Sequence, residues 1–422
     1  MHEMRDSGIE WVGAIPNHWR VSKIKQIVRW KSVKGQPDLP VLSLYRDYGV
    51  IPKDSRDDNH NVTSLDTSGY KVVEHGDLVI NKMKAWQGSL AVSEYNGIVS
   101  PAYHICKITS ENICKKYLHY LLRDASYLPE YMRLSTGLRV GQWDLSFDDF
   151  KNIPFLVPPL AEQKRIAAFL DAQCAEIDAV LEKTRASIEE YKKLKQAVIT
   201  QAVTKGIRGD RPMKDSGIEW IGEIPAEWDV LKLVAHTSML TPMRDRPENL
   251  DGPIPWVRIE DFEGKYIESS KAGLGVSMKT VKEMNLKVYP VGTILCTSSC
   301  IMGKCAIVSR ELVSNQRFIG IIPDRTTDKT YLYYLMTSNA ERMNFLSTGA
   351  LQANLSRSAF EHLKVQFPPY SEQQEIAAYL DDKCEKIDEL ILKKQQYLTE
   401  IENYKKSLIY EYVTGKKEVL PL

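Results

Sequence analysis

The most regular hydrophobic pattern in the chain lies in residues 158–204, where apolar side chains recur every three or four positions among polar and charged ones. The same pattern returns 210 positions later, in residues 368–414, without insertion or deletion. This spacing is typical of a single apolar seam along an α-helix. At 1.5 Å per residue, each stretch predicts a helix about 65 Å long, well beyond an ordinary packing helix. Such a helix needs a second helix against which its seam can be buried.

The predicted seam residues occupy equivalent positions in the two helices. They are Ile166, Leu170, Cys174, Ile177, Leu181, Ile188, Tyr191 and Val198 in the first, and Ile376, Leu380, Cys384, Ile387, Ile391, Leu398, Ile401 and Leu408 in the second. Because both helices belong to one chain, we expect them to pack against each other. Antiparallel packing is expected because it relates two repeated units by a pseudo-twofold axis. An alternative stays open at this point, in which each helix joins a separate partner bundle.

The segments that precede the two helices are also repeated. MRDSGIEWVGAIPNHW at positions 4–19 recurs as MKDSGIEWIGEIPAEW at positions 213–228. The chain is therefore one unit written twice, an α/β module of about 155 residues followed by a long helix. The stretches 21–71 and 230–289 differ in length and composition between the copies, so a common scaffold carries parts that vary.

Two further pairs of segments place elements inside the modules. Positions 76–80 and 292–296 each read as a turn that leads into a buried strand. The apolar runs at positions 117–122 and 331–336 read as helices.

Composition narrows the class of protein. A chain of 422 residues with 43% hydrophobic residues can bury several cores, and no apolar run approaches the roughly 20 residues that span a bilayer. Seven cysteines without framework spacing favour a reduced, cytoplasmic setting. The net charge of +1 neither indicates nor excludes a nucleic-acid partner, which would have to meet local basic patches.

Enzyme signatures are incomplete in this sequence. The Phe367–Tyr370 segment resembles the Pro-Pro-Tyr loop of adenine methyltransferases, but Phe367 has no side-chain acceptor for the target amine. The segment SSCIMGKC at 298–305 lacks the first glycine and the final Ser or Thr of a phosphate loop. Cys296, Cys300 and Cys305 lack the partners that would complete a zinc site. We therefore expect no cofactor, no metal ion and no catalytic constellation in this chain.

Residue types suited to reading DNA occur in turns of both modules. The candidates are Lys82, Lys84, Trp86, Gln87, Arg133, Arg139, Gln142 and Trp143 in the first module, and Lys304, Gln316, Arg317, Gln352, Asn354 and Arg357 in the second. Arg and Lys pair with guanine, and Asn and Gln pair with adenine. Any single one of these residues is as easily a solvated loop residue. Their recurrence in both modules favours DNA recognition.

The ordered set of repeated segments resembles a known family. The segments that carry the resemblance are the two GIEW-containing openings, GDLVINKMKAWQG at 76–88, SPAY at 100–103, the IMGKCAI and NQRF segments of the second module, and the twice-used EQxxIAAxLD passage. Together they resemble the specificity subunit of type I restriction-modification systems. The resemblance extends over nearly the whole chain.

The resemblance implies an α+β architecture of two pseudo-symmetric α/β target recognition domains joined by two long antiparallel helices that form a coiled coil. The implied boundaries are 1–157 for the first recognition domain, 158–207 for the central helix, 208–367 for the second domain, 368–416 for the C-terminal helix and 417–422 for a tail.

The resemblance also implies a function. Each domain would read one half of an asymmetric bipartite DNA target, and the helix pair would set the gap between the halves. Two methyltransferase subunits and, in the complete complex, two restriction subunits that translocate DNA would be the protein partners. S-adenosylmethionine, ATP and Mg would belong to those partners. The alternative is a coiled-coil adaptor that joins proteins without reading DNA.

Overall fold

The computed structural model describes residues 3–46, 48–56, 63–64, 66–137, 143–242, 246–299, 303–346 and 355–419. The chain forms two compact units. Unit 1 consists of residues 1–185 and 396–422, and unit 2 consists of residues 186–395. Each unit therefore contains one module and a part of both long helices.

Unit 1 holds fourteen short strands and three short helices among its described residues. The strands are β1 Met4–Asp6, β2 Ala14–Pro16, β3 Arg20–Lys23, β4 Val28–Lys31, β5 Leu42–Tyr45, β6 Gly49–Pro52, β7 Lys71–Val73, β8 Asp77–Asn81, β9 Leu90–Val92, β10 Gly97–Val99, β11 Tyr103–Ile108, β12 Ser135–Thr136, β13 Asp144–Leu145 and β14 Pro154–Val157. The helices are α1 Lys115–Arg123, α2 Leu128–Leu134 and α3 Phe147–Phe150.

The central sheet of unit 1 is antiparallel, with the strand order β4, β11, β8, β9. Leu78 and Ile80 of β8 face a core formed with helices α1 and α2. Val79, between them, faces a second core formed with strands β5, β6 and β7. Because both faces are covered, β8 is a continuous apolar run, without the alternation of a half-exposed strand. The turn and buried strand predicted at positions 76–80 are present.

Unit 2 repeats this plan with insertions. Its strands are β15 Met213–Asp215, β16 Glu223–Pro225, β17 Asp229–Lys232, β18 Thr237–Leu240, β19 Ile254–Val257, β20 Tyr266–Ile267, β21 Gly275–Val276, β22 Ile294–Thr297, β23 Cys305–Val308, β24 Val313–Ser314, β25 Phe318–Pro323 and β26 Lys364–Phe367. Its short helices are α5 Met278–Glu283, α6 Lys329–Ser338, α7 Ala340–Leu346 and α8 Arg357–Glu361. The two long helices are described below.

The main sheet of unit 2 has the order β18, β25, β22, β23, β20. Strand β22 pairs antiparallel with β25 and β23, just as β8 pairs with β11 and β9 in unit 1. A separate three-stranded sheet, β21, β19, β24, has its own small core of Trp256, Val276, Val281 and Val313. This addition lies in the part of the sequence where the two copies differ most.

The two long helices are α4, Leu160–Lys205, and α9, Tyr370–Val413, with 46 and 44 residues. Each begins directly after two prolines, which suit the first turn of a helix because they lack the N–H group. Each ends before a glycine in the left-handed region, Gly206 at φ +73° and Gly415 at φ +72°. The two predicted long helices are thus confirmed. Among the described residues, no helix is long and apolar enough to cross a membrane.

Inside unit 1, the two helices run antiparallel. Lys405 donates to Asp178 with Nζ–Oδ1 at 2.6 Å, and Arg185 donates to Glu402 at 2.6 Å. The rings of Phe169 and Tyr412 lie 4.5 Å apart. As the position on α4 rises, the partner position on α9 falls, which is the signature of antiparallel pairing.

The same relation holds inside unit 2. Lys195 donates to Asp388 at 2.5 Å, and the Lys394 ammonium lies 5.6 Å from the centre of the Tyr191 ring. Asp388 and Asp178 are 210 positions apart, as are Lys405 and Lys195, so one ion pair of the repeat occurs in both units.

The predicted seam positions are covered to different degrees. Ile166, Leu170, Cys174, Leu181, Ile188, Ile376, Leu380, Cys384, Ile387 and Leu408 are buried, whereas Ile177, Tyr191, Val198, Ile391, Leu398 and Ile401 are partly exposed. Near the end of α4 the buried positions are Ile199, Ala202 and Val203, which join the core of unit 2. The predicted residue Val198 lies at the edge of that core.

Candidate nucleic-acid interface

In unit 1 several predicted DNA-reading residues gather where strand β8 ends. Lys82 follows the strand, and its backbone carbonyl accepts a hydrogen bond from Leu145 N at 3.0 Å. Its ammonium donates to Asp144 Oδ2 at 2.9 Å. These two bonds hold strand β13, and with it Trp143, beside the turn that carries Lys84 and Gln87.

Two tryptophans form the apolar part of this cluster. The rings of Trp86 and Trp143 meet edge to face, with centroids 5.2 Å apart. Trp86 Nε1 donates to Met83 O at 3.1 Å, which closes the turn. Both rings are half-buried, whereas Lys84 and Gln87 are exposed. The arrangement offers one cation and one amide to solvent beside two aromatic rings, a combination suited to base edges and to sugar or base faces.

Arg133 belongs to helix α2, and its guanidinium is already engaged. It makes two parallel hydrogen bonds to Glu130, Nε–Oε2 at 2.6 Å and Nη2–Oε1 at 2.7 Å. The Glu130 carboxylate raises the pKa of Arg133 further above its ordinary value. Arg133 also lines a cleft with Gly8, Ile9 and Trp11. Arg139 and Gln142 lie outside the described residues.

In unit 2 the predicted residues gather at the end of β22, the counterpart of β8. Thr297 N donates to Lys304 O at 2.9 Å, and Ser298 N donates to Arg317 O at 2.8 Å. Lys304 and Arg317 therefore flank the end of this strand from both sides. Both side chains are exposed, as is Gln316. No ion pair engages the exposed Arg317 side chain among the described residues, and a guanidinium carries five N–H donors.

The approach to helix α8 reaches the same end of β22. Leu355 N donates to Ser298 O at 2.9 Å, which places the start of α8 near the cluster. Arg357 in that helix donates to Glu361 Oε1 at 2.7 Å. Gln352 and Asn354 lie outside the described residues.

Several polar groups at the end of β8 were missed by the sequence analysis. His104 Nε2 lies 3.2 Å from Leu145 O, its Nδ1 is buried without a partner among the described residues, and burial lowers its pKa. Trp30 meets His104 edge to face with centroids 5.2 Å apart. Lys71 reaches the neighbouring turn from strand β7. The strand-like sequence around these residues does not indicate that they lie close together. Their proximity depends on the pairing of β4, β8 and β11.

The cysteines of unit 2 have a simple arrangement. Cys296 and Cys305 face each other across strands β22 and β23, with their Sγ atoms 2.7 Å apart. Cys300 lies outside the described residues. Within the described part of the chain, no group of three or more His, Cys, Asp or Glu side chains is placed to hold a metal ion.

Two proteins described as type I specificity subunits are similar in sequence to this chain. The chain shares 36% identity over 176 residues with the type I restriction enzyme MjaIX specificity subunit of Methanocaldococcus jannaschii, an alignment that covers 39% of this chain and 40% of that relative. It shares 24% identity with the putative MjaX specificity subunit of the same organism, over 97% of this chain and 96% of the relative. The chain thus spans less than half of the first relative and nearly all of the second.

Solved structures share the fold. A chain from a structural study of complex assembly and conformational transition in the type I R-M system has a TM-score of 0.73 at 14% identity, with 96% of this chain and 99% of that chain covered. The HsdS subunit from Thermoanaerobacter tengcongensis has a TM-score of 0.50 at 14% identity, over 96% of this chain and 98% of that one.

A family model described as the type I restriction modification DNA specificity domain matches twice, at residues 16–190 and 229–403. Each match begins in a module and ends in the long helix that follows it, which is the repeated unit seen in the sequence. The two matches together cover most of the chain, and the chain therefore belongs to the type I restriction-modification DNA specificity family.

Proposed function

We propose that this chain is the non-catalytic specificity subunit of a type I restriction-modification complex and that its two modules read the two halves of an asymmetric DNA target. The observation that carries the proposal is the position of the exposed polar residues. In both units they lie at the end of the same strand, β8 or β22, and in each unit they are different residues.

The differences between the two clusters favour two unlike half-sites. Unit 1 offers Lys84 and Gln87 beside two tryptophans, and unit 2 offers Lys304, Gln316 and Arg317. A bidentate contact from Arg or Lys to guanine, or from Gln to adenine, discriminates against the wrong base by about 1–3 kcal/mol. Two clusters of different composition on one scaffold therefore select different bases.

The helix pair is proposed to set the gap between the half-sites. Antiparallel pairing of α4 and α9 in each unit supports this role, because each helix has contacts in both units. A continuous helix of 46 residues is about 69 Å long. It changes in length only by insertion or deletion of residues, so it is a suitable spacer.

The protein partners are proposed to be two methyltransferase subunits and, in a complete complex, two restriction subunits. S-adenosylmethionine, ATP and Mg would bind to those partners. Within unit 1, helix α9 supports a protein partner because Tyr397 and Tyr404 are seven residues apart, lie on one face of the helix and are both exposed. Exposed apolar residues aligned in this way are typical of a surface that another helix covers.

Exchange of one module tests the proposal. Residues 213–367 are replaced by the equivalent module of another family member, the chain is expressed with its methyltransferase subunits, and methylated adenines are mapped across the host genome. We expect one half of the methylated motif to change and the other half to persist. The matched control replaces residues 1–157 and is expected to change the other half. A change in both halves, or in neither, would contradict the modular reading.

A further inference from the structure

A turn beside strand β8 lies close to Lys82 of the predicted DNA-reading cluster and to two further lysines, Lys34 and Lys71, that the cluster does not include. The turn spans Ser100–Tyr103 and leads into strand β11, and Tyr103 N donates to Ser100 O at 3.2 Å. Lys71, the first residue of β7, reaches it from the protein side. Its ammonium donates to Pro101 O at 2.9 Å and to Tyr103 O at 2.6 Å.

The position of Lys71 is unusual for a lysine. Only 9% of its surface is exposed, although lysine is rarely buried without a charged partner. Its two hydrogen-bond partners are backbone carbonyls, which use two of the three N–H donors of an ammonium group. Burial lowers the pKa of Lys71, and the positive charges of Lys34 and Lys82 lower it further.

Backbone pairing explains why these two lysines approach Lys71. Val72 N donates to Val33 O at 2.8 Å, which brings Lys34 alongside Lys71. Lys82 N donates to Ala102 O at 3.3 Å, which brings Lys82 beside the turn. Lys34 is exposed, and the Lys82 ammonium is shared with Asp144. Three lysines, one of them paired with Asp144, therefore lie near a turn whose own side chains carry no charge.

We propose that this turn, with Lys34 and Lys82 as contacts and Lys71 as a positioning residue beneath it, binds a phosphodiester of the DNA backbone. The proposal rests on the DNA-reading function proposed above and adds to it a contact that carries no sequence information. An anionic oxygen at this point offsets the repulsion that Lys34 and Lys82 exert on the Lys71 ammonium. A phosphate contact of this kind fixes the orientation of the duplex while base contacts elsewhere select the sequence.

Unit 2 is built differently at the equivalent place. Its counterpart of Lys71 is Lys287, which lies five residues before Gly292 just as Lys71 lies five before Gly76. Lys287 is partly exposed and donates to Asn285 Oδ1 at 3.2 Å. The equivalent turn carries Arg317 itself. The lysine cluster is therefore a property of unit 1, while unit 2 places its cation directly on the turn.

The test measures the salt dependence of DNA binding. The full chain, co-purified with its methyltransferase subunits, is titrated with a 40-base-pair duplex of mixed sequence between 50 and 200 mM KCl. The Lys34→Gln variant is expected to bind more weakly, and the slope of log K against log salt is expected to fall in magnitude by about 0.9, the value for one lost phosphate contact. The methylated motif in cells is expected to stay the same, since no base contact is lost.

Two further variants serve as controls. Lys34→Arg keeps the charge and is expected to keep the slope. Lys107→Gln removes an exposed lysine at the other end of β11 and is also expected to leave the slope unchanged. An unchanged slope in Lys34→Gln, or a change in the methylated motif, would overturn the phosphate contact while leaving the DNA-reading function intact. Failure of the wild-type complex to bind DNA would instead contradict the function.

Discussion

At the scale of single residues, the same hydrogen-bonded contact between a module and its long helix, here called the joint, occurs in both units. Trp19 Nε1 donates to Glu162 Oε1, and Trp228 Nε1 donates to Glu372 Oε2, both at 3.0 Å. Each glutamate lies in the first turn of its long helix, where the helix dipole favours a negative charge. The tryptophans come from the repeated opening segments of the modules. This explains why those segments and the helix starts are shared between the two copies.

The two joints differ in their second partner, and this predicts a difference in stability. Arg211 donates to the nearly fully buried Glu372 at 2.5 Å, whereas Glu162 Oε2 lies 2.9 Å from Nε2 of the exposed His18. Glu372→Ala leaves a largely buried guanidinium without its main carboxylate, which costs about 3 kcal/mol. Glu162→Ala removes hydrogen bonds at a wetter site and is expected to cost about 1–2 kcal/mol.

Urea denaturation of both variants measures this difference. The two substitutions are matched, because the same residue type is removed from the same helical position. Equal losses of unfolding free energy in the two variants would show that the Arg211 pair adds nothing to the joint.

At the scale of elements, the long helices could be predicted because their pattern is local. A seam such as Ile166, Leu170 and Cys174 is visible in consecutive turns of one sequence. The polar clusters depend instead on contacts between distant segments. Lys82 meets Asp144 across 62 positions, and Lys71 meets Pro101 across 30. Lys71 stands in a strand-like run, so no local feature marked it as a charged group beside the predicted DNA-reading cluster.

The paired helices allow a direct test of their antiparallel register. Asp178→Lys or Lys405→Asp alone places like charges together and is expected to lower the free energy of unfolding by about 0.5–1 kcal/mol, the scale of an exposed pair. The double variant exchanges the two charges and is expected to recover most of that loss. A double-mutant cycle in denaturant gives the coupling energy.

The equivalent cycle at Lys195 and Asp388 is the internal control, because the repeat places the same pair in unit 2. Purely additive losses in both cycles would contradict the register. A recovery in one cycle alone would confine the pairing to that unit.

At the scale of the whole molecule, the chain separates a shared scaffold from variable readers. The helices, their glycine ends and the tryptophan joints repeat between the copies. The segments around the ends of β8 and β22 do not. Under the proposed function, a duplicated chain of this kind can change one half of its target without altering the scaffold. It can also change the gap between the half-sites without altering either module.

Lengthening both helices tests the second possibility. Seven residues inserted after Glu190 in α4 and seven after Lys393 in α9 keep the hydrophobic seam in phase, because seven residues are close to two full turns. Each helix gains about 10.5 Å, or roughly three base pairs of DNA. We expect the methylated motif to keep both half-sites and to gain about three base pairs between them. Insertion into α4 alone shifts one helix against the other, disrupts pairs such as Asp178 with Lys405, and is expected to abolish methylation. If the doubly extended chain methylates the original motif with its original gap, the helices do not set the spacing.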